Sequence, residues 1–108
     1  MSQGLTAELK VYFLDKSSWA TCRLMRKQIT REESRQYMQR ILKSSITNYG
    51  LRGDDIKALN SWTEYKSTMN SLRKLASARL KYGRGSTKCS MDGDNNWLPY
   101  VQKTAKES

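Results

Sequence analysis

A chain of 108 residues has room for one domain with a modest core, and six Tyr, three Trp and periodic apolar stripes argue against wholesale disorder. Lys+Arg number 20 against Asp+Glu 10, a net charge of +10, so the field of the protein attracts polyanions. No apolar run approaches the roughly 20 residues that span a bilayer, and the absence of histidine excludes Ser-His, Cys-His and His-metal chemistry.

In chain order, residues 5–13 alternate. Leu5, Ala7, Leu9, Val11 and Phe13 are apolar, with Thr6, Glu8, Lys10 and Tyr12 between them. Period two predicts a half-buried strand, although Leu5, Leu9, Tyr12 and Phe13 also share a helical face. Asp15-Lys16-Ser17-Ser18 is turn chemistry, and residues 19–25 read as a second strand, completing an N-terminal β-hairpin. The opening residues do not read as a secretory signal, which makes the cytoplasm the expected compartment. There Cys22 and Cys89 are expected as thiols, since two cysteines without histidine make no zinc site.

Thr30-Arg31-Glu32-Glu33 is a capping box and predicts a helix over 31–48, stopped at Gly50. Tyr37, Met38, Ile41, Leu42, Ile46 and Tyr49 fall on its apolar side. Asp54 caps a short turn as far as Leu59. Ser61-Trp62-Thr63-Glu64 is a second capping box and opens a long helix over 62–82, about 31 Å at 1.5 Å per residue, ended by Gly83. Beyond it, Gly85-Ser86-Thr87 and Asp92-Gly93-Asp94-Asn95-Asn96 are loop segments. Pro99 keeps Trp97, Leu98, Tyr100 and Val101 out of any central strand. The domain is expected to span 1–102, with 103–108 as a frayed tail.

The expected fold class is therefore α+β: a small, helix-dominated single domain with the hairpin and two main antiparallel α-helices. Tyr37, Ile41, Leu42, Ile46, Met69, Leu72 and Ala76 would pack against Leu9, Val11 and Phe13.

One tract stands out chemically. From Tyr65 to Met91 there is no Asp or Glu, yet Lys66, Arg73, Lys74, Arg79, Lys81, Arg84 and Lys88 lie within it. On the long helix, Lys66, Asn70, Arg73, Ser77 and Lys81 form one stripe bordered by Lys74, opposite Trp62, Tyr65, Met69, Leu72, Leu75, Ala76 and Leu80. A merely solvated helix intersperses Glu with Lys, because such pairs support it. An unrelieved cationic row suits a phosphate backbone. Arg79 and Lys81 also complement the negative end of the helix dipole. The Gly/Arg/Lys loop after the helix adds Arg84 and Lys88, and Tyr82 offers a ring to a base. Lys16, Arg23, Arg26, Lys27 and Arg31 form a second cluster. On a hairpin it would put Arg23 and Trp19 on a ribbon suited to a major groove.

Catalytic constellations fail on inspection. Glu8-Leu9-Lys10 has the spelling of a metal-dependent nuclease strand, but no upstream carboxylate exists, and Asp55-Ile56-Lys57 and Glu64-Tyr65-Lys66 repeat it elsewhere. Asp92, Asp94 and Asn96 begin a calcium-loop spacing that breaks at Trp97 and Lys103. The expectation is a protein that is not an enzyme and needs no cofactor or metal. It binds DNA or RNA through Lys66, Asn70, Arg73, Lys74, Lys81, Tyr82, Arg84 and Lys88. The alternative is a small inhibitor or adaptor whose basic face docks on an acidic protein surface of a larger complex. In size and basicity alone it resembles accessory proteins of phages or mobile elements. Exposed parts of Trp62, Tyr65 and Met69 would allow a homodimer with either function.

Overall fold

The computed structural model describes residues 5–82, 89 and 98–107. Among the described residues there are five helices: α1 (Ala7–Met25), α2 (Arg31–Asn48), α3 (Gly53–Glu64), α4 (Lys66–Tyr82) and α5 (Leu98–Glu107). There is no strand among the described residues, so the fold is all-α and the expected hairpin is overturned.

The N-terminal segment is a 19-residue helix because of what surrounds it. α2, α4 and α5 all pack against α1. Leu9, Phe13, Leu14, Ala20 and Cys22 are buried, and Val11, Tyr12 and Trp19 are half-buried, so apolar side chains encircle most of the helix. A helix covered on several sides loses the one-sided 3.6-residue stripe, and a stretch of it then passes for alternation. A lone hairpin would also be marginal in water, whereas a helix satisfies its own backbone. The apparent turn at Ser17 and Ser18 lies mid-helix, where both residues are fully buried. The Ser18 hydroxyl donates to the Asp15 carbonyl at 3.0 Å and the Thr21 hydroxyl to the Ser17 carbonyl at 2.9 Å, so these residues return to their own helix instead of breaking it. Thr6 caps the start, its hydroxyl accepting from the Leu9 N–H at 3.1 Å.

α1 ends with Lys27 in the left-handed region (φ 61°). The Lys27 N–H donates to the Leu24 carbonyl and the Gln28 N–H to the Arg23 carbonyl, both at 2.9 Å, which is a Schellman closure. The Thr30 capping box forms as the sequence predicts: Thr30 accepts from the Glu33 N–H and Glu33 accepts from the Thr30 N–H, each at 3.1 Å. Gly50 ends α2 at φ +61°, with the Leu51 N–H donating to the Ile46 carbonyl.

The second capping box does not open a helix. α3 continues through Ser61 and Trp62, and the chain breaks four residues later at Tyr65 (φ −71°, ψ 144°), where α4 begins. The extra turn is held by Trp62, whose ring packs edge-on to Phe13 at 5.6 Å. The expected pairing of two main helices also changes, because α1 is the element on which α2 and α4 are both built. Half of the expected core is buried, namely Leu9, Phe13, Ile41, Leu72 and Ala76; Val11, Tyr37, Leu42 and Ile46 are half-buried, and Met69 is 39% exposed. Residues 103–107, expected as tail, lie in α5, where Val101 and Ala105 turn one buried edge toward Leu14 and Leu75. Pro99 fits the first turn of α5 because no intrahelical partner is lost there.

Cys22 and Cys89 are disulfide-bonded, with Cα atoms 6.0 Å apart and a sequence separation of 67. The expectation of two thiols is thereby corrected. Spacing alone did not reveal the bond, since it depends on α4 packing along α1: Cys22, Ala76 and Cys89 form one buried cluster, flanked by Trp19 and Leu80.

Candidate nucleic-acid interface

α4 is 17 residues long, about 25 Å at 1.5 Å per residue. Leu72, Leu75, Ala76 and Ala78 fix its rotation by packing inward. The opposite side is then set without further choice. Lys66, Asn70, Arg73, Lys74, Ser77, Lys81 and Tyr82 are all exposed. Within one turn-to-turn row lie Lys66, Asn70, Arg73, Ser77 and Lys81, with Lys74 beside it. Among the described residues no carboxylate pairs with these four cations, and α4 has no acid of its own. The Lys81 ammonium sits over the Tyr82 ring, 5.0 Å from its centroid, so one face of that ring is already occupied. Arg84 and Lys88 lie outside the described residues, as does the Asp92-Asp94-Asn96 turn.

Arg79 has a different place. It is fully buried, and its guanidinium is ion-paired with Asp15 of α1, whose side chain is 13% exposed. It therefore ties α4 to α1 and contributes nothing to the outer face. It still lies in the last turn of α4, as the dipole argument expected, but position 79 falls on the same side as Leu72, Leu75 and Ala76, which the wheel alone would have shown.

The major-groove ribbon at Arg23 and Trp19 disappears with the hairpin. What replaces it spans two helices. Arg23 lies over Trp19, four residues earlier on α1, at 4.7 Å. Trp19 meets Tyr37 of α2 at 5.7 Å between ring centroids, and Arg40 lies over Tyr37 at 6.0 Å. Tyr37 and Arg40 were missed as surface chemistry because the apolar stripe of α2 claimed Tyr37 for the core. Their spacing, aromatic then arginine three apart on a capped helix, was the available signal. By contrast Arg35, on the same helix, is spent on Glu32 at 2.6 Å, which lowers the Glu32 pKa through that hydrogen bond.

A wider groove of about 710 Å³ runs between α1 and α5, lined among others by Lys10, Val11, Tyr12, Lys16, Tyr49 and Leu98. Burial, aided by Glu8 and Tyr12, raises the Tyr49 pKa. No cluster of metal-ligating side chains exists among the described residues. No helix among them is long and apolar enough to cross a membrane.

Fold and surface together define an all-helical basic protein with an unpaired cationic helix face and a separate arginine–aromatic cluster. Compared with known families, curated proteins and solved structures, the chain matches none.

Proposed function

We propose that this protein binds nucleic acid without catalysing a reaction on it, through the exposed face of α4. The observation that carries the reading is the unpaired row Lys66, Arg73, Lys74 and Lys81 on a helix whose rotation is fixed from the other side. The helix fixes the spacing of these side chains along the row, so binding orders the side chains alone and not the backbone that carries them. Asn70 and Ser77 within the row supply neutral hydrogen bonds to phosphate or sugar.

The test is a salt titration by fluorescence anisotropy with DNA and RNA, single- and double-stranded. Four phosphate contacts give an affinity loss of roughly 50- to 150-fold between about 50 mM and 200 mM salt. Replacing Lys66, Arg73 and Lys81 together by Gln should flatten that slope. Weak binding of all four ligands, vanishing near physiological salt, would reject the reading and turn attention to an acidic protein surface as the partner.

The expected cytoplasmic location and the disulfide pull in opposite directions, because structural disulfides persist mainly in oxidising compartments. Cys22 and Cys89 are almost fully buried, so the bond is shielded from exchange once formed. Alkylating thiols during lysis directly into denaturant, which exposes both cysteines, and reading the modified mass tests the redox state: an unmodified chain marks an oxidising compartment.

A further inference from the structure

The arginine–aromatic cluster at the α1–α2 corner has a shape that the α4 face lacks. Trp19, Arg23, Glu33, Tyr37 and Arg40 line a cleft of about 160 Å³ closed at its base by Ala20 and Ile29. Two helices build it from short local spacings: Trp19 and Arg23 stack along α1, Tyr37 and Arg40 along α2, and the two rings meet across the gap. Each guanidinium thus lies within cation–π range of a ring, Arg23 at 4.7 Å and Arg40 at 6.0 Å. An arginine carries a fork of N–H donors suited to an anion and a planar face suited to a ring.

Charge at this corner is one-sided. Arg23, Arg26, Lys27, Arg31 and Arg40 are set against Glu33 once the Glu32–Arg35 pair cancels. Glu33 is itself engaged, accepting from the Thr30 N–H as part of the helix cap. Among the described residues no carboxylate pairs with Arg23 or Arg40. A cleft lined by two arginines and two aromatic rings suits an anion carried on a flat ring. A duplex offers such a cleft only phosphate oxygens, since its bases are stacked inside and its girth keeps it out. A single strand offers an unstacked base with its phosphate.

The geometry points to a nucleotide site: we infer that this cleft takes one nucleotide of a single strand. The phosphate lies on the guanidinium edges of Arg23 and Arg40, and the base lies against a guanidinium face. This rests on the nucleic-acid reading of α4 and deepens it, because it names the ligand as single-stranded.

The experiment compares a short oligothymidylate with a hairpin duplex on three proteins: the unaltered chain, Arg23→Gln with Arg40→Gln, and Lys66→Gln with Arg73→Gln and Lys81→Gln. The expected result is tighter binding of the single strand by the unaltered chain. The paired arginine variant should lose about tenfold or more for the single strand, with duplex affinity unchanged, while the α4 variant loses both. Arg23→Lys with Arg40→Lys should lose nearly as much single-strand affinity, since an ammonium keeps charge but neither stacks flat nor forks. Equal losses for both ligands, or none, in the arginine variant would overturn the cleft while leaving the α4 reading intact. If the unaltered chain binds neither ligand near physiological salt, the α4 reading falls and the cleft is judged by thymidine monophosphate. Shifts of the Trp19 and Tyr37 NMR signals that vanish in the arginine variant support it, and their absence overturns it. Should the double variant unfold, Arg40→Gln alone serves, because Arg40 is exposed.

Discussion

Arg73 and Arg79 sit six positions apart on the same helix, and the structure assigns them opposite work. Arg79 is wholly buried on Asp15, whereas Arg73 is exposed in the cationic row. Arg79→Ala removes the partner of an almost buried carboxylate and leaves a void where the largest fully buried side chain stood. Breaking a buried pair in this way costs about 3–5 kcal/mol, a large share of the roughly 5–15 kcal/mol that holds a domain. Arg73→Ala touches nothing buried and should stay within about 0.5 kcal/mol. Binding should show the reverse: Arg73→Ala makes the salt slope shallower by about 0.9, one phosphate contact, and Arg79→Ala leaves it unchanged while the protein remains folded. The assays are urea unfolding followed by helical circular dichroism, and salt-dependent anisotropy. Adding Asp15→Ala to Arg79→Ala should cost less than the two single losses added, since both members of the ion pair are then removed together. A loss below about 1 kcal/mol for Arg79→Ala, or a changed slope, would refute the assignment.

Replacing Cys22 and Cys89 by Ala should lower stability by about 4 kcal/mol, because a closure across 67 positions constrains the unfolded chain; unfolding in urea, oxidised against variant, measures it, and a loss under about 1 kcal/mol would contradict the entropic account. Lys27→Gly should raise stability by about 0.5–1 kcal/mol, since Lys27 holds a left-handed conformation that glycine adopts without cost; the melting temperature should rise by about 2–8 °C. The raised Tyr49 pKa means that the folded state keeps the phenol proton where the unfolded chain releases it. Its stabilising contribution is full below the unfolded value of 10.0 and is lost as pH rises through the folded one. Tyr49→Phe should therefore melt with a smaller alkaline decline than the unaltered chain, and parallel declines would count against the burial of Tyr49.

Elements whose signals are local were legible. The Thr30 capping box and the Gly50 stop need only a few neighbouring residues, and both form in place. The cationic row of α4 was legible too, because an acid-free amphipathic helix has its outer face written in its spacing, and the structure leaves those residues exposed. Burial followed composition even where secondary structure did not: Leu9 and Phe13 are core residues whether on a strand or a helix.

The sequence by itself determined net charge, the capped start and glycine stop of α2, and many of the side chains that avoid water, since these depend on residues within one or two turns of each other. Only the tertiary structure decided the rest. Surrounding α1 on several sides turned an alternating segment and a run of turn residues into the central helix. Docking α4 against it converted one arginine of a seemingly uniform basic tract into a buried partner of Asp15 and brought Cys22 to Cys89. Crossing α1 with α2 set the Trp19 ring against Tyr37 and brought two arginines to one cleft. Each of these joins residues far apart along the chain, and their energy appears only when helices pack, so no local pattern carries it.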